Sequence, residues 1–315
     1  MKILIPDTIP LDLAELARAD AELEPVRYRV AEPVPEEHVD AEALVAWSNP
    51  PAQMADAARR LTALRWVQDL AAGPGVTLQA GFGPDVVITS GRSLHDRTVA
   101  EHALALTLAA ARHLHVAVRA QIGHRWAPEI GGLQPLDNAQ GLTTLREATV
   151  AIWGFGGIAR TLAPLYTALG ANVIGIARTP RADGPFTVVD DVDAVLPTVD
   201  VLVNILPTAA STDRVLDARR LALLPRTAWL VNVGRGSTVD EDALVDALRR
   251  GGLAGAALDV TRTEPLPADS PLWDLPNVII TPHAAGGRPL GAAALITANA
   301  QALRRGEPLT NVVER

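Results

Sequence analysis

The stretch TVAIWGFGGIARTLAPLYTALGANVIGIART, residues 149–179, decides the fold. It opens on an apolar strand, TVAIW (149–153), and turns through Gly154, Phe155, Gly156, Gly157, Ile158 and Ala159. A helical run, ARTLAPLYTALG, follows, and then a second apolar strand, NVIGI (172–176). The turn fits G-x-G-x-x-G/A in the context that gives that pattern meaning, after a strand and opening a helix. Gly154 permits the tight turn, Gly156 lets the backbone approach a pyrophosphate, and Ala159 is small enough for helix–strand packing. The N–H groups at the helix start then face the phosphates. The stretch predicts a dinucleotide-binding βαβ unit.

The end of the second strand qualifies that reading. A unit built for NAD places Asp or Glu there to hold the ribose 2′-hydroxyl. Here the chain reads ARTPR, with Ala177 in that place, followed by Arg178, Thr179, Pro180 and Arg181. Alanine neither binds the diol nor repels a 2′-phosphate. Arg178 can grip such a phosphate with a planar fork, Thr179 can donate a hydroxyl, and Arg181 adds charge. The turn predicts NADP(H) in preference to NAD(H).

Outward from this unit, apolar runs alternate with Ala/Leu/Arg-rich helical stretches. ILI (3–5), ALVAW (43–47) and DVVIT (85–89) form one strand series, with helices expected in LDLAELARA and AQMADAARRL between them. TVAIW, NVIGI, DVLVNIL (200–206), TAWLVNV (227–233), AALDV (256–260) and NVIIT (277–281) form a second. Strands apolar throughout and separated by helices indicate parallel sheets covered on both faces, the α/β class. After Gly236, STVDEDALVDALRRGG carries acids first, arginines last and Gly251 just beyond, the order that suits a helix dipole and a glycine C-cap.

Composition narrows the function. The chain has 315 residues, room for two domains, with 48% hydrophobic and 20% charged residues. A net charge of −8 argues against a duplex nucleic-acid partner. Cysteine is absent, which excludes disulfides, thiol nucleophiles and thiolate metal sites. MKILIPDTIP is too short an apolar run for a signal peptide and reads as a first strand. The longest apolar region, EHALALTLAAARHLHVAV (101–118), is interrupted by Arg112, His113 and His115, so a buried or interface helix is expected rather than a membrane span. His102, His113 and His115 are accordingly assigned to packing or an interface. No histidine pair has convincing metal spacing, so no metal is expected, and the cytoplasm is the expected location.

Three stretches carry a family resemblance: NVGRGSTVDEDAL (232–244), ALDVTRTEPLP (257–267) and NVIITPHAAGG (277–287). With TVAEHALALTLAAAR (98–112) and the glycine turn, in that order, they resemble the signature blocks of D-isomer-specific 2-hydroxyacid dehydrogenases. The likeness spans most of residues 95 to 290; further upstream only LRWVQDLAAGPGV (64–76) joins it, loosely. The resemblance implies a Rossmann domain (98–286) inserted in a flavodoxin-like substrate domain (1–97 plus 287–315), with the active site in the cleft between them. It also implies a homodimer, with the helix after the first crossover in the interface.

Reduction of a 2-oxo acid needs an anchor for the carboxylate, a donor to polarise the ketone and a proton for the forming alkoxide. Arg235, flanked by Gly234 and Gly236 after an apolar strand, suits the first two roles. His283, at the C-terminal end of NVIITP, suits the third, because open α/β sheets place ligands at that edge. Glu264, held extended before Pro265, would stabilise the imidazolium. Arg235, Glu264 and His283 occupy the family's Arg, Glu and His positions. The resemblance further implies that Asp259 faces the nicotinamide carboxamide, while Val233, Leu206 and Pro207 line the nicotinamide and adenosine side. AGPGV (72–76) matches the carboxylate-binding loop; Pro74 removes one donor, which leaves Gly73, Gly75 or Val76. Trp47, after the second strand, is a candidate to cap the substrate side chain.

The sequence therefore predicts an NADP(H)-preferring reductase of small 2-oxo acids, giving D-2-hydroxy acids. Two alternatives remain open here. One is a relative acting on another small anion such as phosphoglycerate or phosphite; the chain shows neither a long C-terminal extension nor extra polar substrate residues. The other is a non-catalytic dinucleotide sensor of the same fold.

Overall fold

The structure, a computed structural model, describes residues 1–135 and 137–314. The chain divides into two compact units, Met1–His95 with Arg288–Arg315, and Asp96–Gly287.

The first unit is a five-stranded parallel sheet. In chain order its elements are β1 (Lys2–Pro6), α1 (Leu13–Ala19), β2 (Glu24–Tyr28), β3 (Ala43–Ala46), α2 (Pro51–Arg60), β4 (Trp66–Asp69), α3 (Gly75–Gln79) and β5 (Val87–Thr89). The strand order is β2-β1-β3-β4-β5. Leu16 of α1, with Ala292, Ile296 and Ala300 of the closing helix Ala292–Arg305, packs on one face; Met54 and Ala57 of α2 pack on the other. Val313 and Ser90 extend the pairing at the β5 edge, as Val313 N–H donates to Ile88 and Ser90 N–H to Asn311.

Two of these strands carry no clear apolar signal. β2, EPVRY, holds Pro25 and Arg27 and lies at the sheet edge, where a missing N–H and a polar face are tolerated. β4, WVQD, buries two polar side chains. Gln68 is fully buried and accepts from Thr89 Oγ1 and Asn299 Nδ2, both at 2.9 Å, so its amide is paired rather than stranded.

The second unit begins with two helices, α4 (Asp96–Ala111) and α5 (Leu114–Ile122). The apolar run 101–118, expected as one helix, is broken at His113, whose φ of 52° is left-handed. An eight-stranded sheet follows: β6 (Thr149–Trp153), α6 (Gly157–Ala168), β7 (Asn172–Ile176), β8 (Arg181–Asp183), β9 (Phe186–Val189), α7 (Val192–Val195), β10 (Val201–Asn204), α8 (Ala218–Leu221), β11 (Trp229–Asn232), α9 (Glu241–Arg249), β12 (Gly255–Leu258) and β13 (Val278–Ile280). The order is β13-β12-β11-β10-β6-β7-β9-β8, parallel except for the antiparallel hairpin β8–β9. Helices α4 and α6 cover one face, and α7, α8 and α9 the other. Ile152, Val203, Val231 and Leu230 in the central strands are fully buried, each worth roughly 1.5–3 kcal/mol. In α9, Asp240 caps the first turn by accepting from Ala243 N–H, and Gly251 follows with a φ of 62°.

From β6 the chain runs outward through β7 and β9, then returns to the other side of β6 as β10. The glycine turn therefore stands at the reversal of strand order, where doubly wound sheets bind ligands.

Candidate functional site

The glycine turn is shaped by what lies against each residue. Gly154, at a φ of +104°, runs so close to Ile205 that an added Cβ would meet its carbonyl oxygen at 3.0 Å. A Cβ on Gly157 would collide with the Asp96 carboxylate, whereas one on Gly156 would meet nothing within 4 Å. The approach to Gly156 is thus open backbone at the start of α6. Phe155 is buried against Phe186, with ring centroids 6.0 Å apart, and Ile158 is half-buried.

The arginines after β7 differ in kind. Arg178 and Thr179 are exposed, and Arg178 has no ion pair or side-chain hydrogen bond among the described residues. Arg181 is engaged: it donates to the Phe155 carbonyl at 2.7 Å, to the Thr179 carbonyl at 3.2 Å and to Asp183 at 3.1 Å. Asp183 also takes Arg160 of α6 at 3.0 Å. These two arginines hold its carboxyl below the usual carboxylate range, the Arg160 hydrogen bond being the larger cause. Arg181 is therefore a strut between the hairpin and the glycine turn, and the charge left for a ligand is Arg178.

Arg235, Glu264 and His283 follow the neighbouring strands β11, β12 and β13. Glu264 Oε2 lies 2.7 Å from His283 Nδ1, and its other oxygen accepts from Thr261 N–H at 3.1 Å. Both oxygens are thereby oriented, and His283 Nε2 has no partner among the described residues. The His283 and Glu264 side chains are 46% and 38% exposed, open to a ligand rather than sealed in a core. Arg235 is mostly buried; burial pushes its guanidinium below the usual arginine range, and the nearby Glu264 charge partly offsets this. Its Nη1 donates to the Gly234 carbonyl at 2.7 Å. The peptide bond between Glu264 and Pro265 is cis. A pocket of about 420 Å³ opens beside the pair, with Leu266, Trp273, Ile280 and Pro282 in its wall.

Side chains that sequence reading passes over brace this set. Asn204 and Asn232, buried at the ends of β10 and β11, bond to each other at 3.1 Å. Asn232 Nδ2 and Thr238 Oγ1 both donate to the Arg235 carbonyl, at 3.3 and 2.6 Å. A Cβ on Gly236 would collide with the Thr261 backbone, so the Arg235 turn presses directly on the loop that carries Glu264. The only sequence signal was polar residues at the ends of otherwise apolar strands.

Asp259, expected to face a carboxamide, is 2% exposed and turned onto the His283 segment. It accepts from Thr281 Oγ1 at 2.6 Å, Ala284 N–H at 2.8 Å and Ala285 N–H at 3.1 Å. His102, assigned from sequence to packing or an interface, reaches this carboxylate at 3.2 Å. Val233 is buried, Leu206 half-buried and Pro207 exposed beyond β10.

In the first unit, a small pocket of about 120 Å³ is lined by Trp47, Ser48, Asn49, Asp69, Gly73 and Val76, among others. Trp47 stacks on His95, with ring centroids 5.6 Å apart and planes 16° from parallel. Gly73, Gly75 and Val76 are exposed, but Gly75 N–H is spent on the Gly73 carbonyl at 3.0 Å. That narrows the candidate donors to Gly73 and Val76. Among the described residues, no cluster of three or more His, Asp or Glu could hold a metal ion, and no helix is long and apolar enough to cross a membrane.

Comparison with known proteins places these features in a family. Residues 104–285 match the model of the D-isomer specific 2-hydroxyacid dehydrogenase NAD binding domain. Over 170 residues the chain is 40% identical to glyoxylate/hydroxypyruvate reductase A of Serratia proteamaculans, covering 53% of this chain and 54% of that one. It is also 40% identical over 196 residues to an uncharacterized protein of Corynebacterium melassecola, covering 61% and 62%. The chain thus spans between 54% and 62% of the length of these curated relatives. A D-isomer specific 2-hydroxyacid dehydrogenase family protein of Aeromonas salmonicida has a similar structure, with TM-score 0.82, 29% identity and 99% and 98% of the two chains covered. So does an NADPH-dependent glyoxylate/hydroxypyruvate reductase of Sinorhizobium meliloti, solved with NADP and sulfate, with TM-score 0.80, 27% identity and the same coverage.

Proposed function

The chain belongs to the D-isomer specific 2-hydroxyacid dehydrogenase family, and from that premise we propose that it reduces a small 2-oxo acid to the D-2-hydroxy acid at the expense of NADPH. The observation that carries the reading is the 2.7 Å contact between Glu264 Oε2 and His283 Nδ1, on a histidine whose other nitrogen is open. The glycine turn fits a dinucleotide: the face at Gly156 is unobstructed where a pyrophosphate would lie against the start of α6. Exposed Arg178, past an Ala177 that could not repel a phosphate, favours the 2′-phosphorylated form. The names of the Serratia and Sinorhizobium relatives point the same way. When bound, the nicotinamide supplies the hydride.

The protein's own part follows from its geometry. Arg235 reads the substrate as an anion, its half-buried fork holding the carboxylate and polarising the oxo group; a guanidinium in a poorly solvated place binds more strongly than one in water. His283 hands a proton from Nε2 to the substrate oxygen, while Glu264 fixes the ring through its contact with Nδ1. In the first unit, Gly73 and Val76 N–H groups are the proposed carboxylate donors and Trp47 bounds the side-chain pocket. A homodimer through α5 is part of the reading, because Leu114, Val118 and Ile122 form an exposed stripe along that helix.

The test is NADPH oxidation with a panel of glyoxylate, hydroxypyruvate and phenylpyruvate, wild type against His283→Ala. Turnover by wild type and its loss by about 10²–10⁴-fold in the variant, with NADPH affinity intact, is the expected result. Tight NADPH binding with no turnover of any 2-oxo acid would replace the reductase by a dinucleotide sensor.

A further inference from the structure

The His283 backbone is held in an unfavourable conformation. Its φ is 51°, in the left-handed region where a residue with a Cβ pays on the order of 1 kcal/mol. Such a conformation persists only where its surroundings fix it from several sides. Beside the Thr281 carbonyl, which also accepts from His283 N–H at 3.0 Å, most of the fixing comes from one residue. Asp259 accepts from Thr281 Oγ1 and from the N–H groups of Ala284 and Ala285 through its carboxylate, and from His283 N–H at 2.8 Å through its backbone carbonyl. Four anchors from one residue clamp the segment that presents the imidazole.

The clamp depends on a carboxylate that is 2% exposed. A charge so buried needs donors on every side to stay where it is. His102, from the middle of α4, supplies the donor that neither the strand nor the turn can. Its Nε2 lies 2.9 Å from Thr281 Oγ1 and 3.2 Å from Asp259 Oδ1. Because the Thr281 hydroxyl donates to Asp259, its oxygen is left to accept, so the imidazole N–H donates to Thr281 with the Asp259 carboxylate close beside it. Among the described residues His102 is the one basic side chain within 4 Å of the Asp259 carboxylate.

We infer that His102 is a positioning residue for His283: through Thr281 and Asp259 it holds the 281–285 turn so that the imidazole meets Glu264. The inference rests on the reductase reading for its kinetic consequence, though not for its structural one. The experiment compares wild type, His102→Ala and His102→Gln in the full chain, measuring kcat and KM for the 2-oxo acid with NADPH and, separately, amide hydrogen exchange across residues 281–285. Glutamine retains an N–H donor and alanine does not. Expected for His102→Ala is a fall in kcat of about tenfold with KM changed less than about twofold, since loosened alignment of an acid acts on the chemical step. Exchange at Ala284 and Ala285 should quicken, and His102→Gln should recover most of both. Unchanged exchange at 281–285, unchanged kcat in His102→Ala, or a glutamine variant as impaired as alanine each overturns the inference. If His102→Ala does not fold, Thr281→Val, which deletes the bridging hydroxyl in a side chain of the same shape, carries the same expectations. If wild type reduces no 2-oxo acid, the reductase reading fails, and the exchange data alone decide the role of His102.

Discussion

At the scale of single residues, two arginines three positions apart in one turn have different fates. Arg181 is tied to Phe155 and Asp183; Arg178 faces solvent with no partner among the described residues. Sequence alone could not separate them, because the difference is made by Asp183 on a hairpin that gives only a weak strand signal. Arg178→Ala should raise the KM for NADPH by about 10–100-fold, the worth of a charge-assisted pair, and leave NADH nearly unchanged. Arg181→Ala should weaken both dinucleotides alike by loosening the turn. Equal effects of Arg178→Ala on the two cofactors would remove the phosphate role. Asp69 offers a different test. Burial holds its carboxyl above the usual carboxylate range, against the pull of its bonds from Thr77 Oγ1 and Ala71 N–H. An acid whose proton is held more tightly in the folded chain costs stability while ionised at neutral pH. That cost disappears as the pH falls below the raised folded value. Asp69→Asn should therefore raise Tm at pH 7, and the gap to wild type should close in acid; a gap independent of pH would show that the charge is not the cause.

At the scale of elements, legibility followed burial. The apolar strands of the second unit could be read because both their faces are covered, so no polar residue interrupts them until the strand ends. β2 and β4 were not read: one is a half-exposed edge with a proline, and the other hides Gln68 and Asp69 behind hydrogen bonds that no pattern announces. The break at His113 was equally silent, since nothing in Arg112-His113 marks a helix stop. Arg235 and His283 could be picked out just beyond recognisable strands, and Glu264 by its matching block ahead of Pro265; the order β13-β12-β11 makes the ends of the strands before them neighbours. What was not legible is the bracing beneath them, which is tertiary: Asn204, Asn232 and Thr238 under Arg235, and His102 under Asp259. The contact of Gly236 with Thr261 turns this into an expectation. Gly236→Ala must push two backbones apart, so it should destabilise the chain by about 1–3 kcal/mol in denaturant unfolding and displace Arg235, raising the KM for the 2-oxo acid. A variant with wild-type stability and KM would mean that the Arg235 turn and the Glu264 loop are not mechanically joined.

At the scale of the whole molecule, the question is what covers α5. Its inner side is fastened to the body of its unit: Arg119 donates to the carbonyls of Leu275, Pro276 and Val278, and His115 meets the Trp229 ring edge-on at 5.3 Å. Its outer side is bare. Leu114, Val118 and Ile122 recur every four residues at 50%, 52% and 75% exposure, and Trp126 follows at 88%. Residues i, i+4 and i+8 share one helical face, so these are a continuous stripe rather than scattered apolar residues. A chain carrying a net charge of −8 has ample charged residues with which to solvate a helix, yet this face has none at those positions. A second copy of the chain supplies a matching apolar stripe by symmetry, because a two-fold interface sets the same patch against itself. Ile122→Glu would then bring two like charges together in a surface that should be dry, at a cost of several kcal/mol. Sedimentation at micromolar concentration should find wild type at twice the chain mass and Ile122→Glu at the mass of one chain, with the glycine turn still binding NADPH. Wild type sedimenting as a single chain, or a variant that still pairs, would leave the stripe uncovered and remove the dimer from the reading.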